Sequence, residues 1–189
     1  MVGSERRLVD FGGDASIQLS LYEDPPIFDT VRDAISWRPS VTTLFGNTIE
    51  TGRLVSTMGA VYSYNGHQQT EAIPMPEVVA DACDTLSAIF GTPFRTCVAN
   101  LYPDGSVGLG SHDDGEKFSS IIVSLSLGAS RKMAFHKKDK TETHSFVLEH
   151  GTVCAMCGDG FQRDWKHSIP KMKCESPRIS LTFRAYQDN

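Results

Sequence analysis

Asn100-Leu-Tyr-Pro-Asp-Gly-Ser-Val-Gly-Leu-Gly-Ser-His-Asp-Asp-Gly-Glu116 is the stretch around which the chain is organised. Its last five residues put an imidazole and two carboxylates, His112, Asp114 and Glu116, at alternate positions. In extended backbone, residues i, i+2 and i+4 leave the same face. The three can therefore converge on one point while Asp113 faces away. A histidine and a carboxylate so placed supply two of the three ligands of a 2-His-1-carboxylate iron centre, which keeps coordination positions open. His-x-Asp alone is common in polar loops, so a third ligand must come from elsewhere in the chain.

Working outward, 189 residues suit one domain with a real core. No apolar run approaches the roughly 20 residues of a membrane span. The opening Met-Val-Gly-Ser-Glu-Arg-Arg is not followed by an apolar region, so no secretory signal is expected. Five cysteines at irregular spacing do not read as a disulfide framework, and their odd number predicts reduced thiols in an intracellular setting. Neither a membrane nor an obligate protein partner is expected. The net charge of −5 argues against a general nucleic-acid binder. Basic clusters at Arg131-Lys132, Lys137 to Lys140 and Lys166 to Lys173 offset that in the second half, as scattered surface charge or as a binding patch.

Ser16 to Tyr22 alternates apolar and polar residues, the period of a half-buried strand. Asp24-Pro25-Pro26 predicts a helix start with Asp24 as its N-cap, carrying Ile27, Phe28, Val31, Ala34 and Ile35 at helical spacing. A second helix is predicted from Pro76 to Phe90, stopped by Gly91 and Pro93. Strands follow over Arg95–Leu101, Ser120–Leu127, Lys132–His136, His144–Leu148, Thr152–Cys157 and Arg178–Tyr186. The expected fold class is α+β, mainly β: a sheet sandwich or jelly roll with outer helices, in a single domain over 1–189.

Two further pieces bear on the opening stretch. Asp164-Trp165-Lys166-His167-Ser168-Ile169-Pro170 offers His167 as a third ligand. Pro177-Arg178-Ile179-Ser180-Leu181-Thr182-Phe183-Arg184 alternates cleanly, with Ile179, Leu181 and Phe183 on one face and Arg178, Ser180, Thr182 and Arg184 on the other. Two guanidiniums among hydroxyls on a strand face cost several kcal/mol if buried unpaired, so they call for an anion. A dicarboxylate meets that need, because arginine grips a carboxylate through two parallel hydrogen bonds.

Taken in order, Asn-x-Tyr-x-x-Gly, His-x-Asp-x-Glu, Trp-x-His and Arg-x-x-Leu-Thr-Phe-Arg resemble the AlkB family of iron(II)- and 2-oxoglutarate-dependent dioxygenases, over roughly residues 40–186. The resemblance implies a double-stranded β-helix (jelly-roll) core over 91–189, with iron at one mouth. Residues 1–90 would be an N-terminal extension with two helices and a nucleotide-recognition lid. It implies His112, Asp114 and His167 as the catalytic iron ligands. Asn100, Tyr102, Arg178, Ser180 and Arg184 would hold 2-oxoglutarate as cosubstrate, Arg178 on its distal carboxylate. Ser180 stands where many members carry Asn, and its hydroxyl can still donate.

The implied reaction is oxidative demethylation of N-alkylated bases of the 1-methyladenine and 3-methylcytosine type, releasing formaldehyde, succinate and carbon dioxide. On the substrate side, Glu116 matches an acidic residue that meets the base. Tyr62-Ser63-Tyr64-Asn65-Gly66 resembles the lid segment of the duplex-repairing branch, and Leu44-Phe45-Gly46-Asn47 a hairpin tip whose apolar finger fills the gap left by an extruded base. Arg53 joins Phe45, Tyr62, Tyr64 and Glu116 as an expected substrate contact. Methylated duplex DNA is the favoured partner. Single-stranded DNA or RNA, a protein side chain and a small molecule are the alternatives.

Ordinary structural readings apply elsewhere. Cys154-Ala-Met-Cys157 has a metal-like spacing, yet residues three apart on a strand point to opposite faces, so both read as core. Cys83 reads as core as well. His67, His136, His144 and His150 read as structural or surface residues, Trp37 as packing for the first helix, and Trp165 as support for the His167 segment.

Overall fold

The computed structural model describes residues 6–44, 46–60, 63–64, 67–68, 73–115 and 120–185. In chain order the elements are β1 (Arg7–Asp10), β2 (Ser16–Leu21), α1 (Phe28–Ala34), β3 (Arg38–Leu44), β4 (Asn47–Gly59), β5 (Ser63–Tyr64), β6 (His67–Gln68) and α2 (Glu77–Phe90). Then come β7 (Thr96–Tyr102), β8 (Leu109–His112), β9 (Ile121–Gly128), β10 (Arg131–Lys137), β11 (Thr143–Leu148), β12 (Thr152–Cys157), α3 (Asp159–Asp164), β13 (Trp165–Ile169) and β14 (Arg178–Arg184).

Among the described residues the strands form an eight-stranded sheet in the order β1-β2-β12-β9-β14-β7-β4-β3, a four-stranded sheet β11-β10-β13-β8 and a small β5-β6 pair. The pairings are antiparallel throughout. Two layers of sheet with α1 and α2 on one outer side are the jelly-roll architecture that the strand pattern predicts. The first ninety residues supply β1 to β4, half of the large sheet.

Alternation along the central strands sorts their side chains into two compartments. Ile179, Leu181 and Phe183 of β14 join Cys97, Ala99 and Leu101 of β7 on the outer face, where Val31 of α1, Ile35 at its end, and Val79, Ala82, Cys83 and Leu86 of α2 cover them. Each large side chain so buried contributes about 1.5–3 kcal/mol. The inner face meets the small sheet through Ile17, Tyr102, Ile122, Cys154 and Met156 against Met133, Phe135, Trp165 and Ile169. Cys154 thus packs between the sheets and Cys157 under the helices, which rules out joint ligation by that pair. Burial raises both thiols, to about 12 and about 11.

Helix α2 ends as its sequence predicts, with Gly91 at φ 62° donating its N–H to the Ser87 carbonyl. Helix α1 differs. Its N-cap is Ile27, without a side-chain cap, and Asp24 sits at φ 52° in the left-handed region. Each proline biases the residue before it, Asp24 and Pro25, away from helical backbone, and Ile27 is extended, so the helix begins at Phe28 rather than directly after Asp24. Trp37 packs beside α1 and donates Nε1–H to the Arg32 carbonyl at 2.7 Å. No helix among the described residues is long and apolar enough to cross a membrane.

Candidate functional site

His112 is the last residue of β8, and its partner across the small sheet is His167 on β13. The two rings lie 4.3 Å apart between centroids. Asp114 follows β8 by two residues, beyond the end of the strand. Strand alternation therefore does not aim it. Two contacts do: its backbone N–H donates to Gln162 Oε1 at 2.8 Å, and Arg184 donates to its Oδ1. Its other oxygen, Oδ2, lies 3.6 Å from His167 Nε2. One ligand atom from each of His112, Asp114 and His167 lies within 4.8 Å of the others.

The electrostatics suit a metal. His112 Nδ1 faces the Gly110 carbonyl at 2.9 Å and donates to it, since a carbonyl can only accept, which leaves Nε2 as the nitrogen available to a metal. Burial pushes His167 down to about 4, against the opposing pull of Asp114, leaving a neutral imidazole. Burial would raise Asp114, but the Arg184 charge prevails, with the neighbouring His167 and His112 pulling the same way, and holds it at about 2. Asp114 and His167 are buried, while His112 is half-buried and leaves one side open. Two imidazoles and one carboxylate with an open side fit iron(II).

Beside this triad, β14 and β7 present a polar floor. Arg178 pairs with Tyr102 in register, and Ser180 with Asn100. Arg178 is buried, donates to Ser126 Oγ at 2.8 Å and lies 5.5 Å from the Tyr102 ring centre. Its Nε and Nη1 are buried without hydrogen-bond partners among the described residues. A guanidinium held in that way fits an incoming carboxylate. Burial lowers its pKa, with Tyr102 opposing. Ser180 shares a hydrogen bond with Ser124 at 2.9 Å, so its hydroxyl belongs to a buried cluster on this floor. Arg184, on the same face of β14, is committed to Asp114.

Three contributors escaped the sequence reading. Gln162 holds Asp114, and nothing in its local pattern marks it. Ser126 anchors Arg178. Arg131 corrects the expectation of a surface cluster at Arg131-Lys132: it is fully buried and donates to the carbonyls of Asp104, Val107 and Pro170 at 3.0, 2.8 and 3.1 Å. The alternation of Arg131, Met133 and Phe135 toward the inner core was the signal that could have found it. Arg131 also lies 5.3 Å from the Tyr102 ring centre.

Arg53 is half-buried, donating to Asn100 Oδ1 and to Ser40 Oγ. Leu44 pairs with Asn47 across the expected hairpin. Phe45, Tyr62 and Glu116, with the Tyr64 side chain, lie outside the described residues. His136 meets Thr143 Oγ1 at 3.2 Å, His150 accepts from the Gly128 N–H at 3.0 Å, and His144 stacks 4.4 Å from Phe11. All three make structural contacts.

Comparison with known proteins agrees with this geometry. The profile of the 2OG-Fe(II) oxygenase superfamily matches residues 23–184. The DNA oxidative demethylase ALKBH2 of Bos taurus is 31% identical over 138 residues, covering 67% of this chain and 49% of the relative. The alpha-ketoglutarate-dependent dioxygenase alkB homolog 3 of Bos taurus is 28% identical over 180 residues, covering 88% of this chain and 63% of the relative. The chain spans about half the length of the ALKBH2 relatives it matches. Among solved structures, that of OsALKBH1 superposes with a TM-score of 0.56 at 18% identity, over 95% of this chain and all of the other, which supports the fold. An oxidoreductase of the 2OG-Fe(II) oxygenase family from Burkholderia pseudomallei gives 0.57 at 15% identity, over 83% of this chain and 76% of the other. With its two imidazoles and a carboxylate converging beside a buried arginine floor, the chain belongs to the 2OG-Fe(II) oxygenase superfamily and, within it, to the AlkB family.

Proposed function

We propose that this chain is a single-domain iron(II)- and 2-oxoglutarate-dependent dioxygenase that demethylates N-alkylated bases in nucleic acid. Methylated DNA is the first choice of substrate, and formaldehyde, succinate and carbon dioxide are the products. The observation that carries the reading is the pairing of the His112, Asp114 and His167 cluster with buried Arg178, whose Nε and Nη1 have no hydrogen-bond partner among the described residues. The relatives named as DNA oxidative demethylases favour a base as the substrate. The five free cysteines fit a reducing, intracellular setting.

In this mechanism His112, Asp114 and His167 hold the metal, and Arg178 receives one carboxylate of 2-oxoglutarate in the two-pronged geometry that guanidinium favours. Asn100, Tyr102 and Ser180 line the same floor and orient the cosubstrate. The bound metal supplies the oxidising power, drawn from oxygen and the decarboxylation of 2-oxoglutarate. Arg184 keeps Asp114 ionised and aimed. Phe135 and Trp165 back the small sheet behind His167 and exclude water from that side. On the substrate side, Glu116 gives a cationic methylated base an electrostatic advantage over its neutral parent. Tyr62 and Tyr64 cover the base, and Phe45 fills the gap it leaves in a duplex.

A panel of methylated single- and double-stranded DNA and RNA oligonucleotides, read by formaldehyde release, tests the reading with His112→Ala as control. Turnover that needs iron(II), 2-oxoglutarate and a methylated base is the expected result. No turnover on any oligonucleotide, with 2-oxoglutarate still bound, overturns the demethylase reading. Phe45→Ala should cost duplex substrates much more than single strands, and Glu116→Gln should narrow the preference for cationic bases.

A further inference from the structure

Arg53 sits where the β3–β4 ladder loses its register. Pro39 pairs with Leu54 and Val41 with Glu50, so Ser40 alone faces Thr51, Gly52 and Arg53. Extra residues on one strand bend it and re-aim a side chain. Gly52 takes φ 79° at this point, and a Cβ there would press on Val107 Cγ2 at 3.1 Å. Thr51 Oγ1 closes the irregularity by donating to the Ser40 carbonyl at 3.1 Å. On the other side β4 pairs with β7, with Val55 opposite Asn100 and Leu54 opposite Leu101. Arg53 is two residues from Val55, so it shares the face of Asn100 and crosses to it.

The chemistry of that contact fixes an orientation. A guanidinium has five N–H donors and no acceptor, so only the oxygen of an amide can face it. Arg53 Nη1 donates to Asn100 Oδ1, and Nη2 donates to Ser40 Oγ at 3.1 Å. The Asn100 NH2 group must then turn the other way, on the floor it shares with its register partner Ser180. No described residue accepts a hydrogen bond from it. Arg53 Nε is itself buried, so the guanidinium is used inward rather than toward solvent.

We propose that Arg53 is a positioning residue: it locks the Asn100 amide with its NH2 presented to the 2-oxoglutarate carboxylate, and it ties that amide to the edge hairpin β3–β4. This inference rests on the proposed function, since it needs 2-oxoglutarate as the occupant of the floor. It differs from the expectation of Arg53 as a substrate contact, because it has Arg53 act through Asn100.

Titration calorimetry of 2-oxoglutarate into the Mn(II)-loaded protein separates these readings without turnover. Arg53→Met should weaken binding about tenfold, the scale of one hydrogen bond to a charged group. Asn100→Ala should weaken it similarly, and the double variant should lose no more than either single one. Arg53→Lys, which keeps a donor for Asn100, should bind within about threefold of wild type and serves if Arg53→Met fails to fold. Additive losses in the double variant overturn the proposal. So does Arg53→Met binding 2-oxoglutarate like wild type, the result expected of a direct substrate contact. If the wild type itself does not bind 2-oxoglutarate, the proposed function falls, and with it this inference.

Discussion

Arg184 and Asp114 form a buried ion pair that divides the carboxylate between two tasks: Oδ1 accepts from the guanidinium, while Oδ2 stays turned toward His167 Nε2 at 3.6 Å. The arginine sits at the end of β14 in the large sheet, and the aspartate follows β8 of the small one. Their contact spans the two layers and sets the ligand's aim.

Removing the cation should cost both metal and fold. Arg184→Met leaves the Asp114 charge buried without its strongest compensation, and breaking such a pair costs about 3–5 kcal/mol. Iron(II) affinity should fall by about 10–100-fold, as for other residues that orient a metal ligand. Urea denaturation of the metal-free protein and Mn(II) titration read the two effects. Unchanged values in both would mean that Asp114 is oriented by something other than Arg184.

Gln162 should matter for metal binding out of proportion to its distance from the chemistry. Its Oε1 takes the Asp114 N–H, and its carbonyl takes a hydrogen bond from Lys138 Nζ at 2.9 Å. Lys138 also pairs with Asp113 at 3.1 Å, so residues of the ligand loop are tied to α3 by two routes. Gln162→Leu removes the acceptor while keeping the bulk, and should weaken Mn(II) binding about tenfold. Gln162→Glu keeps the acceptor and should recover part of that loss, which a purely packing role would not predict.

Arg131 should act on stability first. Its guanidinium satisfies three backbone carbonyls from two loops and shares the Tyr102 ring with Arg178. Arg131→Met should lower stability by about 3–5 kcal/mol, since several charge-assisted bonds in a buried place are lost together. The urea midpoint measures it. A loss under about 1 kcal/mol would mean that the two loops hold their places without it.

Acid should destabilise the metal-free protein over a defined window. His167 titrates near 4 in the folded chain, against an ordinary 6.5. Between those values the unfolded chain binds a proton that the folded chain refuses, so this contribution is fully present above pH 6.5 and is lost as pH falls toward 4. Asp114, held at about 2 against an ordinary 3.8, extends the loss below pH 4 with the same sign. The Tm of the metal-free protein should fall steadily from pH 7 to pH 4, and His167→Asn should flatten that slope. A Tm unchanged across the window would contradict the buried neutral imidazole.

Much of this molecule was legible before any coordinates. The alternation of Arg178 to Arg184 already separated Ile179, Leu181 and Phe183 from the polar face, because side-chain direction along a strand is a local property of the backbone. Gly91 marked the end of α2 for an equally local reason, the freedom of glycine in the left-handed region. The order of His112, Asp114, His167 and the two arginines identified the family. Tertiary structure decided what depends on which strands lie side by side. It set His112 opposite His167, gave Asp114 to Arg184 and Gln162, buried Arg131 that had read as surface charge, and turned Arg53 inward onto Asn100. Those contacts join residues distant in the chain, and their register follows from how two whole sheets pack, which no local pattern encodes.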